Sequence, residues 1–506
     1  MKKIKLFLWI AFAAVTNSFA QCPVAGFVAS DTVCINFPFP VNDTSTTGLN
    51  YQWDFCAGDL KKAPSGFQVD TFPTLLNPFG IDIVTDGVNW YGFVVNYGNN
   101  SIARFDFGNS LDNTPPPPTP VAVSGLNGPV EIKLINDNGY WYAIVSNSGD
   151  NTVLKLNMDS LTNTSPAAIA LPSGVGFAGP SQSTIVKDHN NYIALVAMSG
   201  SNKIGIWDFG TSMATNPTPT FLAMPGTAPI SLAVAKECNQ WYGIVAYISD
   251  AIISRIKFGT SISNVINGID TVATLLAGAR DVEMSNDGGS WFAFVMDIGG
   301  ANLTRLDFGP SLNSATVNSN SLGTLGGVFN GDYAFTLEKT GSKWYGFSDE
   351  YGTNIINKFL FPDSCSATLV TSTDFNPVNP SYTNYGTYNI SLTVTDSLGN
   401  VSFFDDSVVV ANPPQAGFNT GPACANSPVS FYDTSSGGGS IVSWLWYFGD
   451  GDSSVSQNPV HQYASATYYV VTLTVTSITG CTATITDSVF VQTSPDAGFI
   501  FPPGNK

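Results

Sequence analysis

A repeat of about fifty residues constrains the fold of this chain more than any other feature. Its most regular part is an aromatic pair followed by small and β-branched residues, as in Trp90-Tyr91-Gly92-Phe93-Val94-Val95. Six copies begin with an aromatic residue, and the spacings between them are 51, 51, 49, 50 and 53 residues: Trp90, Trp141, Tyr192, Trp241, Trp291 and Trp344. A regular period of this length is typical of repeat architectures.

Each repeat contains four strand-like segments separated by turn residues. In the second copy they cover 129–135, 141–147, 152–157 and 167–171. The intervening clusters, such as Asp137-Asn138-Gly139, are rich in residues that adopt turn conformations. Four strands in a unit of this length are typical of a β-propeller blade. The sequence therefore predicts an all-β fold with a six-bladed β-propeller over residues 62–361.

The last repeat lacks a fourth strand, because blade-like sequence ends near Phe361. The segment Phe72-Pro73-Thr74-Leu75-Leu76 precedes the first repeat as Phe221-Leu222-Ala223-Met224 precedes the fourth. We therefore expect this N-terminal segment to complete the last blade and close the ring. Closure would remove the open strand edges on which other molecules can add strands.

Residues 1–20 have the pattern of a secretory signal peptide. Lysines at positions 2, 3 and 5 precede an apolar run, and Ser18-Phe19-Ala20 resembles a cleavage site. No later apolar run reaches the length of a transmembrane helix. We therefore expect a protein that is secreted or displayed on the cell surface.

The charge balance limits the partners. The chain has 37 acidic and 19 basic residues and a formal net charge of -18. An acidic protein is poorly suited to nucleic acid or to anionic membranes. It contains only 2 histidines, His189 and His461, in different domains. Since neither has a suitable setting, we expect no nucleophile–histidine catalysis, no resident cofactor and no enzymatic activity.

The innermost strand of each repeat offers one alternative. Asp82, Glu131, Asp281 and Glu283 fall on the phase that would face a central channel. Carboxylate oxygens suit Ca²⁺ or Mg²⁺, although polar residues line wet channels without binding metal. Six-bladed propellers include lactonases with a divalent cation in the channel. A Ca²⁺-dependent, lactonase-like hydrolase is therefore the alternative function.

The region after the propeller carries a different pattern. Trp446-Tyr447-Phe448-Gly449-Asp450-Gly451 is followed by His461-Gln462-Tyr463 and by Tyr469-Val470-Val471-Thr472-Leu473. This pattern resembles the PKD domain, an Ig-like β-sandwich of bacterial surface proteins, and we assign it to residues 412–494. The resemblance implies that Trp446, Phe448, Gly449, Asp450, Gly451, His461 and Tyr463 form the domain's sequence motif.

The same pattern occurs once more, split by the propeller. Trp53 and Phe55 match Trp446 and Phe448, and Tyr382 matches Tyr463. Residues 21–61 and 362–411 are therefore expected to form one PKD domain, with the propeller inserted in an exposed loop, where insertions are tolerated. Asp496-Ala497-Gly498-Phe499 repeats the opening of the domain, so residues 495–506 are expected to start a third domain or to form a tail.

Seven cysteines in an exported chain permit disulfides. The Ig-like resemblance favours a bond between Cys424 and Cys481 within the second PKD domain. Cys56 and Cys365 flank the inserted propeller, and a bond between them would hold its neck. A bond between Cys22 and Cys34 is an open alternative, which leaves Cys238 unpaired.

Together these features predict a secreted or cell-surface binding or adhesion protein. Its propeller would present a binding face to an extracellular glycan or protein, with the PKD domains as spacers. Carbohydrate binding is one form of this prediction. A fold alone does not identify a ligand.

Overall fold

The computed structural model describes residues 22–494, except 47, 49, 264–265, 275–277, 298–301, 325–331 and 363–364, together with Gly498. The expected signal peptide and nearly all of residues 495–506 lie outside the described residues. Within them the regular structure is β-strand, apart from one short 3₁₀ helix, Asp59–Lys61. No described helix is long and apolar enough to cross a membrane.

Six antiparallel four-stranded sheets form the blades of a propeller in the described part of the chain. For each blade the strands are given in order from the channel to the outer edge. Blade 1 contains Pro78–Thr85, Trp90–Asn96, Ser101–Gly108 and Thr119–Val121. Blade 2 contains Pro129–Asp137, Tyr140–Asn147, Thr152–Asp159 and Ala167–Ala170. Blade 3 contains Pro180–Asp188, Asn191–Met198, Lys203–Asp208 and Thr220–Ala223.

The second half of the ring follows the same order. Blade 4 contains Pro229–Glu237, Gln240–Tyr247, Ile252–Gly259 and Gly268–Thr274. Blade 5 contains Ala279–Asp287, Ser290–Asp297, Asn302–Gly309 and Asn318–Gly323. Blade 6 contains Asp332–Thr340, Lys343–Glu350, Ile355–Leu360 and Ser65–Thr71. The prediction of a six-bladed propeller is confirmed.

The repeated aromatic segment forms the second strand of every blade. Both of its faces are covered by neighbouring blades, so its residues are apolar without alternation. Phe294 and Val295 of blade 5, for example, are fully buried and belong to clusters on opposite sides of their sheet. The aromatic repeat is therefore inter-blade core rather than a surface for stacking sugars.

The strand that closes the ring lies next to the predicted segment in the sequence. Ser65–Thr71 pairs antiparallel with Ile355–Leu360 and supplies the fourth strand of blade 6. The prediction that Phe72–Leu76 forms this strand was wrong. Phe72 and Leu75 instead pack into the cluster between blades 6 and 1, where a short turn places both side chains. Their apolar character reflects this burial.

The two halves that flank the propeller form one sandwich, PKD1. Its main sheet has the order Thr32–Cys34, Val401–Ala411, Gly386–Thr395, Asn50–Ala57 and Thr371–Ser372. A small second sheet pairs Phe27–Val28 with Asn42–Asp43. The chain leaves this sandwich after Ala57 and returns before Thr371, so the propeller is an insertion between two paired strands.

The second sandwich, PKD2, follows without interruption. One sheet contains Ser453–Ser454, Ile441–Tyr447, Tyr468–Ser477 and Thr482–Phe490. The other contains Phe418–Thr420, Pro428–Asp433 and Val460–Gln462. Tyr463 donates a hydrogen bond to the carbonyl of Phe448 at 3.1 Å. In PKD1 the matching Tyr382 donates to the carbonyl of Phe55 at 2.8 Å, so the two sandwiches share their core geometry.

Three disulfides form, and each connects parts of the chain that are distant in sequence. Cys56 and Cys365 are bonded at the neck, as the sequence predicted. Cys22 is bonded to Cys238 in blade 4, and Cys34 of PKD1 is bonded to Cys481 of PKD2. The predicted Cys424–Cys481 bond is therefore wrong, and so is the alternative Cys22–Cys34. The turn that carries Cys481 packs against the end of PKD1 instead of crossing its own sandwich, which leaves Cys424 as a free thiol.

The neck also has a polar network. The Asp287 carboxylate at the end of the inner strand of blade 5 accepts hydrogen bonds from the backbone N–H groups of Gly58 and Leu60 at 3.1 and 2.9 Å. Lys339 of blade 6 pairs with Asp54 of PKD1 and lies 3.5 Å from Asp287. PKD1 therefore packs against the ends of the inner strands that carry these residues.

Candidate functional site

The inner strands bring the predicted channel residues together along one cavity of about 240 Å³. Glu131, Gln182, Ser231 and Asp281 occupy one register position of these strands, and Asp82, Lys133, Thr184, Glu283 and Thr336 occupy the position two residues later. Glu338, a further two residues along blade 6, also lines the cavity. The sequence analysis predicted that the residues at the first two positions face the channel, but it did not identify Glu338.

The four predicted metal ligands line this channel without forming a compact metal cluster. Asp281 accepts hydrogen bonds from the Ser231 hydroxyl at 2.8 Å and from the N–H groups of Val282 and Phe335, both at 2.7 Å. Asp82 accepts one from the N–H of Leu134 at 2.8 Å. Among the described residues, three potential ligand atoms approach within 4.8 Å of one another only elsewhere, in PKD2.

Among the described residues that line the channel, Lys133 is the one with a positive charge. Its ammonium group lies 3.5 Å from the Asp82 carboxylate. Burial lowers the pKa of Lys133, but the carboxylates of Asp82, Glu283, Glu131 and Asp281 outweigh burial and hold this pKa above its ordinary value. The lysine therefore stays charged and partly balances the buried carboxyl groups, which is the role that a bound metal ion would otherwise have.

The carboxyl groups themselves resist ionisation. Burial raises the pKa of Glu131 and of Glu338 well above the usual range of a glutamate, and it raises the pKa of Glu283 to about 7. Burial also raises the pKa of Asp82 and of Asp281, with Lys133 acting in the opposite direction. These shifts follow from the burial of several carboxyl groups in one channel.

A second cavity, of about 330 Å³, lies at the opposite end of the inner strands from PKD1. Arg280 lines it at the start of Ala279–Asp287, whereas Asp287, at the far end of the same strand, contacts the neck. We call it the open-face cavity. Its lining residues are Phe79, Tyr97, Val130, Ser148, Ser181, Gln182, Ser199, Ile230, Arg280 and Tyr351. Gln182 also lines the channel cavity, so the two cavities adjoin.

Aromatic rings form one wall of the open-face cavity. The ring of Phe79 lies 5.7 Å from that of Tyr97 and 6.0 Å from that of Tyr351, between centroids. The guanidinium group of Arg280 lies 5.6 Å from the centre of the Phe79 ring. Three serines and Gln182 supply hydroxyl and amide groups on the other side. Apolar faces with a few convergent polar groups are typical of ligand pockets.

The sequence analysis did not identify these lining residues, although they occupy equivalent positions of the repeat. Phe79, Val130, Ser181, Ile230 and Arg280 are equivalent positions, each one residue before the first channel row. A second equivalent set directly follows the second strands: Tyr97, Ser148, Ser199 and Tyr351 line the cavity, and Ile248 is their counterpart in blade 4. The residue type differs between blades at both positions while the core aromatic residues recur. Variation at these positions on a constant framework marks them as candidate binding residues.

Other motifs have structural roles. The sequence Asp-Phe-Gly occurs three times, at 106–108, 208–210 and 307–309. Asp106 and Asp307 pair with Arg104 and Arg305 two residues earlier, and the adjoining phenylalanines are buried in the blades. His189 pairs with Asp188 in a turn of blade 3. Neither described histidine lines either cavity.

The predicted PKD motif is assembled as one unit in PKD2. Trp446 and Phe448 are buried, and the His461 ring stacks on Phe448 at 4.2 Å. His461 Nε2 lies 2.7 Å from the Asp450 carboxylate, and this contact lowers the pKa of Asp450 against the opposing effect of burial. Gly449 has φ +86°, and a Cβ there would lie 2.5 Å from the Val470 carbonyl oxygen. These residues stabilise the turn between Ile441–Tyr447 and Ser453–Ser454.

Comparison with known proteins identifies the family of the C-terminal sandwich. Residues 410–491 match the family model of the PKD domain. They are a PKD domain. A microbial collagenase of Vibrio alginolyticus is 50% identical over 54 residues, which are 11% of this chain and 7% of the collagenase. The chain thus spans only a small part of the length of this curated relative.

Two solved structures illustrate the structural similarities. One is a domain of Vibrio anguillarum Epp, which is also named PKD1. It is 33% identical over an alignment that covers 17% of this chain and 99% of that domain, with a TM-score of 0.16. The periplasmic gluconolactonase PpgL of Pseudomonas aeruginosa is 12% identical and covers 71% of this chain and 96% of its own, with a TM-score of 0.41.

Proposed function

We propose that this protein is an exported binding protein whose propeller takes its ligand in the open-face cavity. The observation that carries the proposal is the composition and position of that cavity. Aromatic rings, one arginine and several hydroxyl groups converge there, at the end of the inner strands that PKD1 leaves uncovered. The two PKD domains would hold this face away from the surface to which the protein is attached.

The cavity favours a small or protruding ligand. Its volume of about 330 Å³ is at the lower end of the range for small-molecule pockets. It therefore suits the end of a glycan chain, or one side chain of a protein loop, rather than a flat protein surface. Aromatic faces stack on the apolar side of a sugar ring, while Arg280, Gln182 and the serines can bond its oxygen atoms.

The test is a glycan and surface-protein array probed with the purified protein and with two cavity variants. Tyr97→Ala removes one aromatic face and Arg280→Gln removes the guanidinium group. Each should weaken binding roughly tenfold or more, as residues in the centre of an interface do. Lys203→Gln is the control, because it removes a charge outside both cavities. Binding that all three variants retain would refute this location.

A lactonase-like hydrolase is the second candidate, because the channel holds five carboxyl groups. The donor chemistry suits Ca²⁺, but the arrangement does not, since Lys133 already lies among these groups and their oxygens do not converge. We therefore expect no hydrolysis of lactone, ester or glycoside panels with added Ca²⁺. Turnover that disappears in the Asp281→Ala/Glu283→Ala double variant would establish the hydrolase instead.

A further inference from the structure

PKD1 and PKD2 carry a cysteine at the same structural position. Cys34 pairs in parallel with Ala411, and the next residue, Ile35, donates from its N–H to the Ala411 carbonyl at 3.1 Å. Cys424 pairs in parallel with Gln492, and Ala425 donates to the Gln492 carbonyl at 2.8 Å. We call this position the forward cysteine. It lies in each domain beside the point where the chain leaves the last strand.

The turn that carries Cys481, the residue bonded to Cys34, has an equivalent in PKD1. In PKD2 the N–H of Ser477 donates to the carbonyl of Cys481 at 2.9 Å, and in PKD1 the N–H of Asp396 donates to that of Asn400 at 3.0 Å. Asn400 is thus equivalent to Cys481. The first domain has the forward cysteine but no turn cysteine, whereas the second domain has both.

The disulfide between Cys34 and Cys481 joins the forward cysteine of one domain to the turn cysteine of the next. The linker that makes this geometry is short. Pro413 and Pro414 pack against Gly438 of PKD2, where a Cβ would lie 2.4 Å from the Pro414 nitrogen. The linker and the disulfide together fix how PKD2 sits on PKD1.

The sequence after PKD2 repeats this linker. Ala411 is followed by Asn-Pro-Pro-Gln and then Ala416-Gly417-Phe418, and Gln492 is followed by Thr-Ser-Pro-Asp and then Ala497-Gly498-Phe499. The spacing from the paired residue to the Ala-Gly-Phe opening is the same in both. PKD2 therefore resembles PKD1 at this end in two respects: it has a forward cysteine, and the same type of linker sequence follows its last strand.

We infer that Cys424 forms a disulfide with the turn cysteine of a further PKD domain that packs against the end of PKD2. The partner is a domain of the PKD2 type, with cysteine at the position of Cys481. This bond continues the pattern of Cys34 and Cys481, so that consecutive PKD domains form a covalently linked, rigid stack. It also accounts for the odd cysteine in a chain whose other six are bonded.

The chemistry requires an electron acceptor. When the two thiols join, one S–S bond forms and two protons and two electrons leave. A disulfide of a thiol oxidoreductase, or a low-molecular-weight disulfide such as oxidised glutathione, accepts the electrons by thiol–disulfide exchange and is released as two thiols. An exported protein meets such oxidants during folding.

The test is a fusion of residues 22–492 to a second copy of residues 412–494. In the copy, Thr482→Ser marks the mass of the turn peptide and Cys424→Ser removes the copy's own forward cysteine. After folding in a glutathione redox buffer, non-reducing peptide mapping should link Cys424 to the marked turn cysteine and leave no free thiol. Thiols at both positions, or a bond from Cys424 to any other cysteine, would overturn the inference.

Two further fusions serve as controls. Cys481→Asn in the copy, which introduces the residue type that PKD1 has at Asn400, should leave Cys424 as the one reactive thiol while the copy still folds. A fusion with serine at both positions tests the geometry without the bond. Small-angle scattering of this fusion should show that the copy packs on PKD2 at the angle at which PKD2 packs on PKD1. A copy that moves freely about its linker would contradict the proposal.

Discussion

At the scale of single residues, Lys133 decides what the propeller channel can hold. It is the cation that the carboxylates of Asp82, Glu131, Asp281 and Glu283 share. The channel phase of the repeat predicts where these residues lie, since Glu131 and Lys133 are two positions apart on one strand. It does not predict that Lys133 interacts with all four carboxylates, because they belong to blades that the sequence separates by tens of residues.

We predict that Lys133→Met destabilises the propeller, and more so at pH 7 than at pH 5. Burial has already raised the pKa of each of these carboxyl groups, and loss of the lysine raises them further. A group whose pKa is higher in the folded state stabilises the fold at low pH and loses that contribution as pH rises. Removing one partner of a buried ion pair costs about 3–5 kcal/mol, and thermal unfolding at the two pH values measures the difference.

Lys155→Met is the matched control. Lys155 is fully buried, but its ammonium group donates to the carbonyls of Met213 and Thr215, both at 2.7 Å, instead of pairing with carboxylates. Burial lowers its pKa to about 8. Its loss should therefore destabilise the fold by a similar amount at pH 5 and at pH 7, both below that pKa. An equal pH dependence for the two variants would show that Lys133 is not a shared counterion.

At the scale of elements, the ring depends on the strand Ser65–Thr71. We predict that replacing it with a Gly-Ser segment of equal length lowers the melting temperature by roughly 10 °C or more, because the ladder hydrogen bonds to Ile355–Leu360 are lost. The exposed edge should also cause association at high protein concentration. Differential scanning calorimetry and analytical ultracentrifugation measure the two effects.

The outermost strand of blade 5, Asn318–Gly323, provides the comparison. Its replacement also removes one outer strand, but blade 6 keeps the strand that joins the two ends of the propeller. This variant exposes an edge of the same kind and should associate similarly, but it should lose less stability. If both replacements lower the melting temperature equally, ring closure adds nothing beyond one strand's hydrogen bonds.

Elements with a strong internal repeat were the ones that sequence could predict. The second strands recur with their aromatic residues, so the number of blades and the closure by an N-terminal segment follow from the sequence. The identity of the closing strand does not, because Ser65–Thr71 is largely exposed and less apolar than the buried Phe72 and Leu75 beside it. Likewise Cys481 bonds outside its own domain, and the pattern within one domain contains no information about its neighbour's position.

At the scale of the whole molecule, the neck joins two cooperative units. Cys56 and Cys365 are 309 residues apart in sequence, and a bond across an unfolded loop of that size would stabilise PKD1 by about 6 kcal/mol in the chain-entropy picture. The folded propeller changes this, because its closing strand already brings the two ends of the insertion together. The bond therefore matters most to PKD1 when the propeller is unfolded.

We predict that the double variant Cys56→Ser/Cys365→Ser makes PKD1 unfold together with the propeller, whereas PKD1 of the native protein stays folded after the propeller has melted. Hydrogen exchange during a temperature series follows the two units separately, through peptides of the PKD1 strand Gly386–Thr395 and of the propeller strand Tyr140–Asn147. The variant Cys22→Ser/Cys238→Ser is the control, since that bond joins PKD1 to blade 4 without closing the neck. It should leave PKD1 folded above the melting point of the propeller. Loss of PKD1 protection in the neck variant while the propeller is still folded would show that propeller closure does not hold the two halves of the sandwich together.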